Sequence, residues 1–206
     1  MKAADPLTGR LANALAGPGY GVEPGFVTMP VVRQLVTSLR ARDAAGGFHA
    51  AGIGAGAERR VRPDIRGDRI CWLDGPQGAA ERAIYASFEA LRVALNRKLM
   101  LGLTELQLHY ALYPPGAGYQ RHLDRSPRGI ERVVTVIVYL NEDWDVADGG
   151  ELVMATDTGE LVISPTAGPL VLFLSAGFEH EVRAARRERL SLTGWFSRAA
   201  AGGLPY

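Results

Sequence analysis

The sequence predicts a mainly β domain with flanking helices: a jelly roll (double-stranded β-helix) with N-terminal helices packed on one sheet. Three observations predict it. From Thr104 onward, short apolar or alternating runs follow one another, each cut off by Gly, Pro or Asp clusters. Seven or eight such strands at this spacing point to a β-sandwich or barrel. Over the first hundred residues the apolar positions recur at helical spacing instead. The chain has 206 residues with no low-complexity break, which suits one domain with a sizeable core. The expected organisation is a single unit over 1–206, with 1–100 as helical support plus a loop and 104–198 as the jelly-roll core.

Each element has its own signal. Pro6 to Ala16 places Leu7, Leu11 and Leu15 at i, i+4, i+8, a short amphipathic helix ended by Gly17-Pro18-Gly19-Tyr20-Gly21. Pro30 to Ala44 is a second helix, with Val31, Leu35 and Leu39 as its stripe and Pro30 in its first turn. Ala45-Gly46-Gly47 stops it. His49 to Arg66 is rich in Gly and Arg without a clear period and is expected as loop, with one strand turn near Ala50 to Ile53. Arg69 to Leu73 alternates as a strand. Ala80 to Arg97 is a long helix whose Ile84, Phe88, Leu91 and Leu95 face the core.

The β half begins at Thr104 to Tyr113. Leu106, Leu108, Tyr110 and Leu112 fall on one face; Gln107, His109, Ala111 and Tyr113 fall on the other. Pro114 to Gly118 breaks this strand. Arg132 to Leu140 is a nearly continuous β-branched run, as expected of a strand buried on both sides. Asn141 to Asp148 is a polar loop closed by Gly149-Gly150. Strands follow at Glu151 to Ala155, Glu160 to Ser164, Leu170 to Ser175, His180 to Arg183 and Leu190 to Phe196.

Composition excludes several classes. A net charge of +1 gives no sign of a general nucleic-acid binder. One cysteine, Cys71, rules out an intramolecular disulfide and a cysteine-rich zinc site. With no long apolar run and no signal-peptide pattern, the expectation is a cytoplasmic protein with no membrane partner, monomeric or weakly dimeric.

Chemistry concentrates in Tyr119-Gln120-Arg121-His122-Leu123-Asp124. In a strand, residues two apart share a face, so His122 and Asp124 can offer a nitrogen and an oxygen to one metal ion. His180 lies in another strand-like segment. Two histidines and one carboxylate on one face of a metal are the facial triad of non-haem Fe(II) oxygenases. The other two histidines are His49 and His109, and His49 suits a loop or surface position. On the last strand Arg189, Ser191, Thr193 and Trp195 share one face; Leu190, Leu192 and Phe196 share the other. Taken alone, the polar face reads as solvated. If instead it lines a pocket, Arg189 is a forked donor for a carboxylate. Tyr139, on the face of Thr135 and Ile137, then adds a hydroxyl to the same group, or else makes an ordinary core hydrogen bond.

These residues sit in longer stretches. They are Tyr113-Pro114, Gly118 to Asp124, Tyr139-Leu140-Asn141-Glu142-Asp143-Trp144-Asp145, Gly149-Gly150-Glu151-Leu152, His180-Glu181-Val182 and Arg189 to Phe196. Together they resemble the 2-oxoglutarate- and Fe(II)-dependent prolyl hydroxylases, within them the hypoxia-inducible-factor type and its bacterial relatives. Asp64 to Trp72 is similar to that branch's segment near the peptide site, so the resemblance spans about residues 60 to 198. It implies that His122, Asp124 and His180 hold Fe(II). It implies that Arg189 pairs with the distal carboxylate of 2-oxoglutarate, helped by Tyr139 and Thr193, with Tyr113 near the chelating end and Trp195 as a wall. It places Arg66, Asp68 and Trp72 in a loop over the substrate, with Arg132 pairing to Asp68. The turn between Tyr113 and His122 is one residue shorter than the family pattern, and the loop from Asp124 to Arg132 one longer.

The resemblance also implies the reaction. Three protein ligands leave three octahedral positions, two for 2-oxoglutarate and one for O2; succinate and CO2 leave, and a C–H bond is hydroxylated. Ascorbate belongs to the same expected cofactor set. The implied substrate is a proline in a protein or peptide, with elongation factor Tu as one such protein. A free amino acid or other small molecule is the alternative, and a metal-binding jelly-roll sensor without turnover is a third.

Overall fold

The computed structural model describes residues 6–54, 60–124 and 130–200. Three helices come early: α1 (Pro6–Ala16), α2 (Met29–Ala44) and α3 (Gly78–Leu99). Strands β1 (Tyr20–Glu23), β2 (His49–Ala50) and β3 (Arg69–Trp72) lie between them. The β half runs β4 (Glu105–Tyr113), β5 (Tyr119–His122), β6 (Ile130–Tyr139), β7 (Leu152–Thr156), β8 (Gly159–Ile163), β9 (Leu170–Leu174), β10 (His180–Val182) and β11 (Arg189–Ala199). A seven-stranded sheet has the order β1-β9-β6-β11-β4-β3-β2, and a four-stranded sheet the order β5-β10-β7-β8. The fold is a jelly roll with helices on the larger sheet.

Strand parity divides that larger sheet into two chemically different faces. Even-numbered residues of its central strands, among them Leu108, Tyr110, Val136, Val138, Leu192 and Phe196, join Leu35, Leu39, Phe88, Leu91 and Leu95 in one core under the helices. Odd-numbered residues, including Thr135, Ile137, Tyr139, Arg189 and Ser191, point the other way, towards the smaller sheet. Both faces are buried, so the central strands carry long apolar or β-branched runs. Cutting a fully buried member such as Phe88 to Ala costs about 3–5 kcal/mol.

The helix side also holds one buried carboxylate. Glu81 on α3 is 0% exposed. It accepts from Arg42 of α2 (3.0 Å), Tyr110 of β4 (3.0 Å) and the Gln77 backbone N–H (2.5 Å). Three elements are tied at one point, and every neighbour is a donor.

The structure corrects details of the predicted elements. β1 begins within the α1 terminator, at Tyr20; it is an edge strand paired to β9, too short and too polar to show an alternating pattern. In α2 the buried residue of the first turn is Val32, with Val31 only partly covered. Among its described residues the 49–66 stretch forms the two-residue β2, an Ile53–Arg60 bridge and an Arg66–Tyr119 bridge, and residues 55–59 lie outside the described ones. The Asn141–Asp148 loop contains a 3-10 turn, Val146–Asp148, closed by reciprocal Asp145 and Asp148 caps. No described helix is long and apolar enough to cross a membrane.

Candidate active site

The smaller sheet brings the two histidines together. β10 pairs with β5 so that His180 lies opposite His122, and their rings sit 4.3 Å apart. Each Nδ1 faces a backbone carbonyl, Gln120 O at 2.8 Å and Phe178 O at 3.0 Å. Those contacts put the proton on Nδ1 and leave both Nε2 lone pairs directed at the site.

Asp124 completes the group by a different route from the one expected. β5 ends at His122, so Asp124 is not held by strand periodicity. The larger sheet aims it instead. Thr135 Oγ1 of β6 (2.8 Å) and Trp195 Nε1 of β11 (2.9 Å) both donate to Asp124 Oδ2. Ser175 Oγ lies 2.9 Å behind Thr135. Oδ1 then stands 3.8 Å from His122 Nε2, and Oδ2 3.9 Å from His180 Nε2. The three ligand atoms lie within 4.8 Å of one another, a spacing that fits one metal ion. Burial pushes the His122 pKa down to about 4, with His180 adding to the shift. Burial pushes the Asp124 carboxyl up, but His180, His122, Trp195 and Thr135 outweigh it and the net shift is downward. A neutral His122 imidazole beside an ionised carboxylate is the protonation state a divalent cation needs.

Arg189 lies on the wall of the same cavity, from the odd face of β11. That face is buried, not solvated as its polarity alone suggests, because the smaller sheet covers it. Arg189 is 2% exposed. Its Nε donates to Gly150 O at 2.8 Å. Its guanidinium carbon sits 5.1 Å from the Tyr113 ring and 5.0 Å from the Tyr139 ring. Among the described residues, no carboxylate forms an ion pair with it. A buried cation without an internal counter-ion is costly, and a cavity beside it fits an incoming carboxylate. Tyr139 Oη is buried facing Arg189 and, among the described residues, makes no hydrogen bond of full geometry, in place of the core bond it was otherwise expected to make. Burial raises its pKa against the opposing pull of Arg189, so it stays a neutral donor. Ser191 and Thr193 hydroxyls, 3.2 Å apart, line the cavity too. Gly150 is required here: its φ is +75°, and a Cβ would lie 2.9 Å from Ala185 Cβ and 3.2 Å from Arg189 Cδ.

Of the loop residues, Arg66 and Asp68 reach the cavity, whereas Trp72 and Arg132 do not line it. Arg66 grips Asp68 with two bonds, 2.7 and 3.0 Å. Asp68 is therefore taken by Arg66, not by Arg132 as the resemblance suggested. Arg132 lies over the Trp195 ring, 3.5 Å from its centroid. Arg66 also lies over the Tyr119 ring at 4.8 Å, and Tyr119 stacks on His122 at 3.5 Å. Sequence reasoning did not assign roles to Thr135, Tyr119 or His109. Thr135 shares the face of Tyr139, so parity was the signal for it. Which residue lies across the barrel from it is set by contacts between distant strands.

A jelly roll with two histidines and a carboxylate at one end of a cavity, and an unpaired buried arginine on its wall, defines a non-haem iron oxygenase scaffold. Residues 108–197 match the 2OG-Fe(II) oxygenase superfamily. A prolyl-4-hydroxylase structure from Pseudomonas putida is 44% identical, covering 94% of this chain and 100% of that one, with a TM-score of 0.86. A Trichoplax adhaerens prolyl hydroxylase, solved with a hypoxia-inducible-factor oxygen degradation domain peptide, is 29% identical over 93% of this chain and 89% of that one, with a TM-score of 0.82. Human Egl nine homolog 1 is 35% identical over 144 residues, 65% of this chain and 33% of that protein, so this chain spans a third of that relative's length. The chain belongs to the 2OG-Fe(II) oxygenase superfamily. That family uses Fe(II), 2-oxoglutarate and O2.

Proposed function

We propose that the protein is an Fe(II)- and 2-oxoglutarate-dependent dioxygenase that hydroxylates a prolyl residue in a protein or peptide. The observation that carries it is one cavity holding both the His122–Asp124–His180 group and a buried Arg189 with no counter-ion among the described residues. His122 Nε2, Asp124 Oδ1 and His180 Nε2 hold the metal. Bound Fe(II), 2-oxoglutarate and O2 supply the oxidising chemistry, with succinate and CO2 released. Arg189 takes the distal carboxylate of 2-oxoglutarate, and the Tyr139 hydroxyl donates to the same group; Thr193, four residues along β11 from Arg189, lines the cavity further along. Tyr113 packs by the cosubstrate, and Trp195 holds Asp124 while walling the pocket. Arg66 and Asp68 reach the cavity on the substrate side, with Trp72 and Arg132 packed against Trp195 outside it. The choice of proline is supported by the Pseudomonas and Trichoplax relatives; neither the fold nor any comparison singles out elongation factor Tu.

The test is succinate formation by protein loaded anaerobically with Fe(II), then given O2 and 2-oxoglutarate. It is run with and without proline peptides, elongation factor Tu and free amino acids. We expect peptide-stimulated succinate together with the mass gain of one oxygen on proline, absent in His122→Ala and Arg189→Ala. Stimulation by free amino acids alone would replace the substrate assignment. No succinate from folded, iron-loaded protein would leave a metal-binding jelly roll.

A further inference from the structure

His109, on the odd face of β4, is used by nothing described so far. It is 1% exposed, yet Nδ1 is sealed without a hydrogen-bond partner. Among the described residues none bonds Nε2 either. The ring stacks on Trp195 at 5.3 Å and 23° and tilts against Trp72 at 4.9 Å. It also lines the cavity. Burial, then Arg66 and Arg132, pushes its pKa down to about 3, so the imidazole is neutral. A neutral imidazole has one N–H and one bare nitrogen. A sealed N–H without a partner is rarer and costlier than a sealed acceptor, so the bare nitrogen is Nδ1 and the proton sits on Nε2, towards the cavity.

The strand register says what that donor meets. Arg189 pairs with Tyr113, whereas His109 pairs with Thr193 on one side and Trp72 on the other. Four residues along β4 separate Tyr113 from His109, roughly 13 Å at strand rise. His109 therefore lies at the end away from Arg189, beside Trp72, which is 36% exposed at the rim.

We infer that His109 is a specificity-determining residue: its Nε2–H donates a hydrogen bond to a backbone carbonyl oxygen of the substrate peptide, with Trp72 and Trp195 flanking the ring. This rests on the peptide-hydroxylation assignment above. A neutral donor suits a neutral carbonyl, and the carboxylate-binding cation of the cavity is already present at the other end.

Three measurements test it together. Long-range proton–nitrogen correlation on zinc-loaded protein labelled with [15N]histidine reports the His109 tautomer; we expect Nε2–H, and Nδ1–H would overturn the assignment whatever the substrate. Calorimetry of 2-oxoglutarate on Mn(II)-loaded wild type, His109→Leu and His109→Gln should give equal affinities. Turnover of blocked decapeptides with a central proline should show KM raised about tenfold in His109→Leu, with kcat within about twofold, and restored to within about threefold in His109→Gln, whose amide N–H replaces Nε2–H. A Leu variant with wild-type KM means the imidazole only packs. Weakened 2-oxoglutarate binding in that variant means the donor serves the cosubstrate. Either result overturns the inference alone. Wild-type protein that binds 2-oxoglutarate but turns over no peptide defeats the hydroxylation assignment itself, and this one with it.

Discussion

Glu81 and Arg189 are both buried charges, Glu81 on a helix against one face of the larger sheet and Arg189 on the other face of that sheet. Glu81, on the helix side, is surrounded by donors from Arg42, Tyr110 and the Gln77 backbone. Arg189, on the cavity side, has the Gly150 carbonyl and the rings of Tyr113 and Tyr139, with no carboxylate among the described residues. A protein can hold a buried charge by pairing it internally, or leave it for something that arrives later. The first arrangement commits the charge to the fold, and the second reserves it for a ligand. The unbonded His109 nitrogen and Tyr139 hydroxyl lie on the reserved side as well.

Swapping the two charges' fates is the strongest way to break the comparison. Glu81→Gln should lower stability by about 1.5–3 kcal/mol, since the partly buried Arg42 and two further donors lose their ionised acceptor. Activity per folded molecule should survive. Arg189→Leu should do the reverse: an unchanged or raised urea midpoint for the ligand-free protein, and 2-oxoglutarate affinity lower by roughly a hundredfold or more. Parallel urea titrations and calorimetry decide it.

Acid sharpens the same division. His109 and His122 are held neutral by burial, at about 3 and about 4. In the unfolded chain both take up protons near 6.5. The unfolded state therefore binds more protons between those values, and stability must fall as pH drops from about 6.5 towards 4. For metal-free protein we expect a loss on the order of a few kcal/mol across that window, with a shallower slope in His109→Leu, measured by urea midpoints at each pH.

Smaller effects follow further from the charges. Trp195→Phe removes the indole N–H from Asp124 and should weaken metal affinity by about 10–100-fold with the fold intact, read by competition with a chelating dye. At the far end of the scale, Arg33→Ala breaks a bidentate but exposed pair with Glu142. The melting temperature should not move measurably.

Much of this was legible in the chain. Leu11 and Leu15, or Phe88, Leu91 and Leu95, announce buried helix faces because period and burial coincide. The alternation of β4 and β11 is enough by itself to separate Tyr110 from His109, and Leu190 from Arg189. Parity does not say what covers a face. The Arg189–Trp195 face reads as solvated because the smaller sheet that closes over it is drawn from β5, β7, β8 and β10, scattered along the chain. Asp124 illustrates the same limit. Its spacing from His122 marks it as a ligand, but Thr135 and Trp195, distant in sequence, hold it in place. β1 carries no signal of its own, because its four residues are a strand only by virtue of β9.

The two-sidedness of β4 and β11 has a consequence for how the protein can change. Odd and even positions belong to different environments, so substitutions at 109, 111, 191 and 193 vary what the cavity accepts while the helix-side core keeps its jigsaw. Those four positions form a compact library for redirecting substrate choice, with the scaffold's folding held nearly constant.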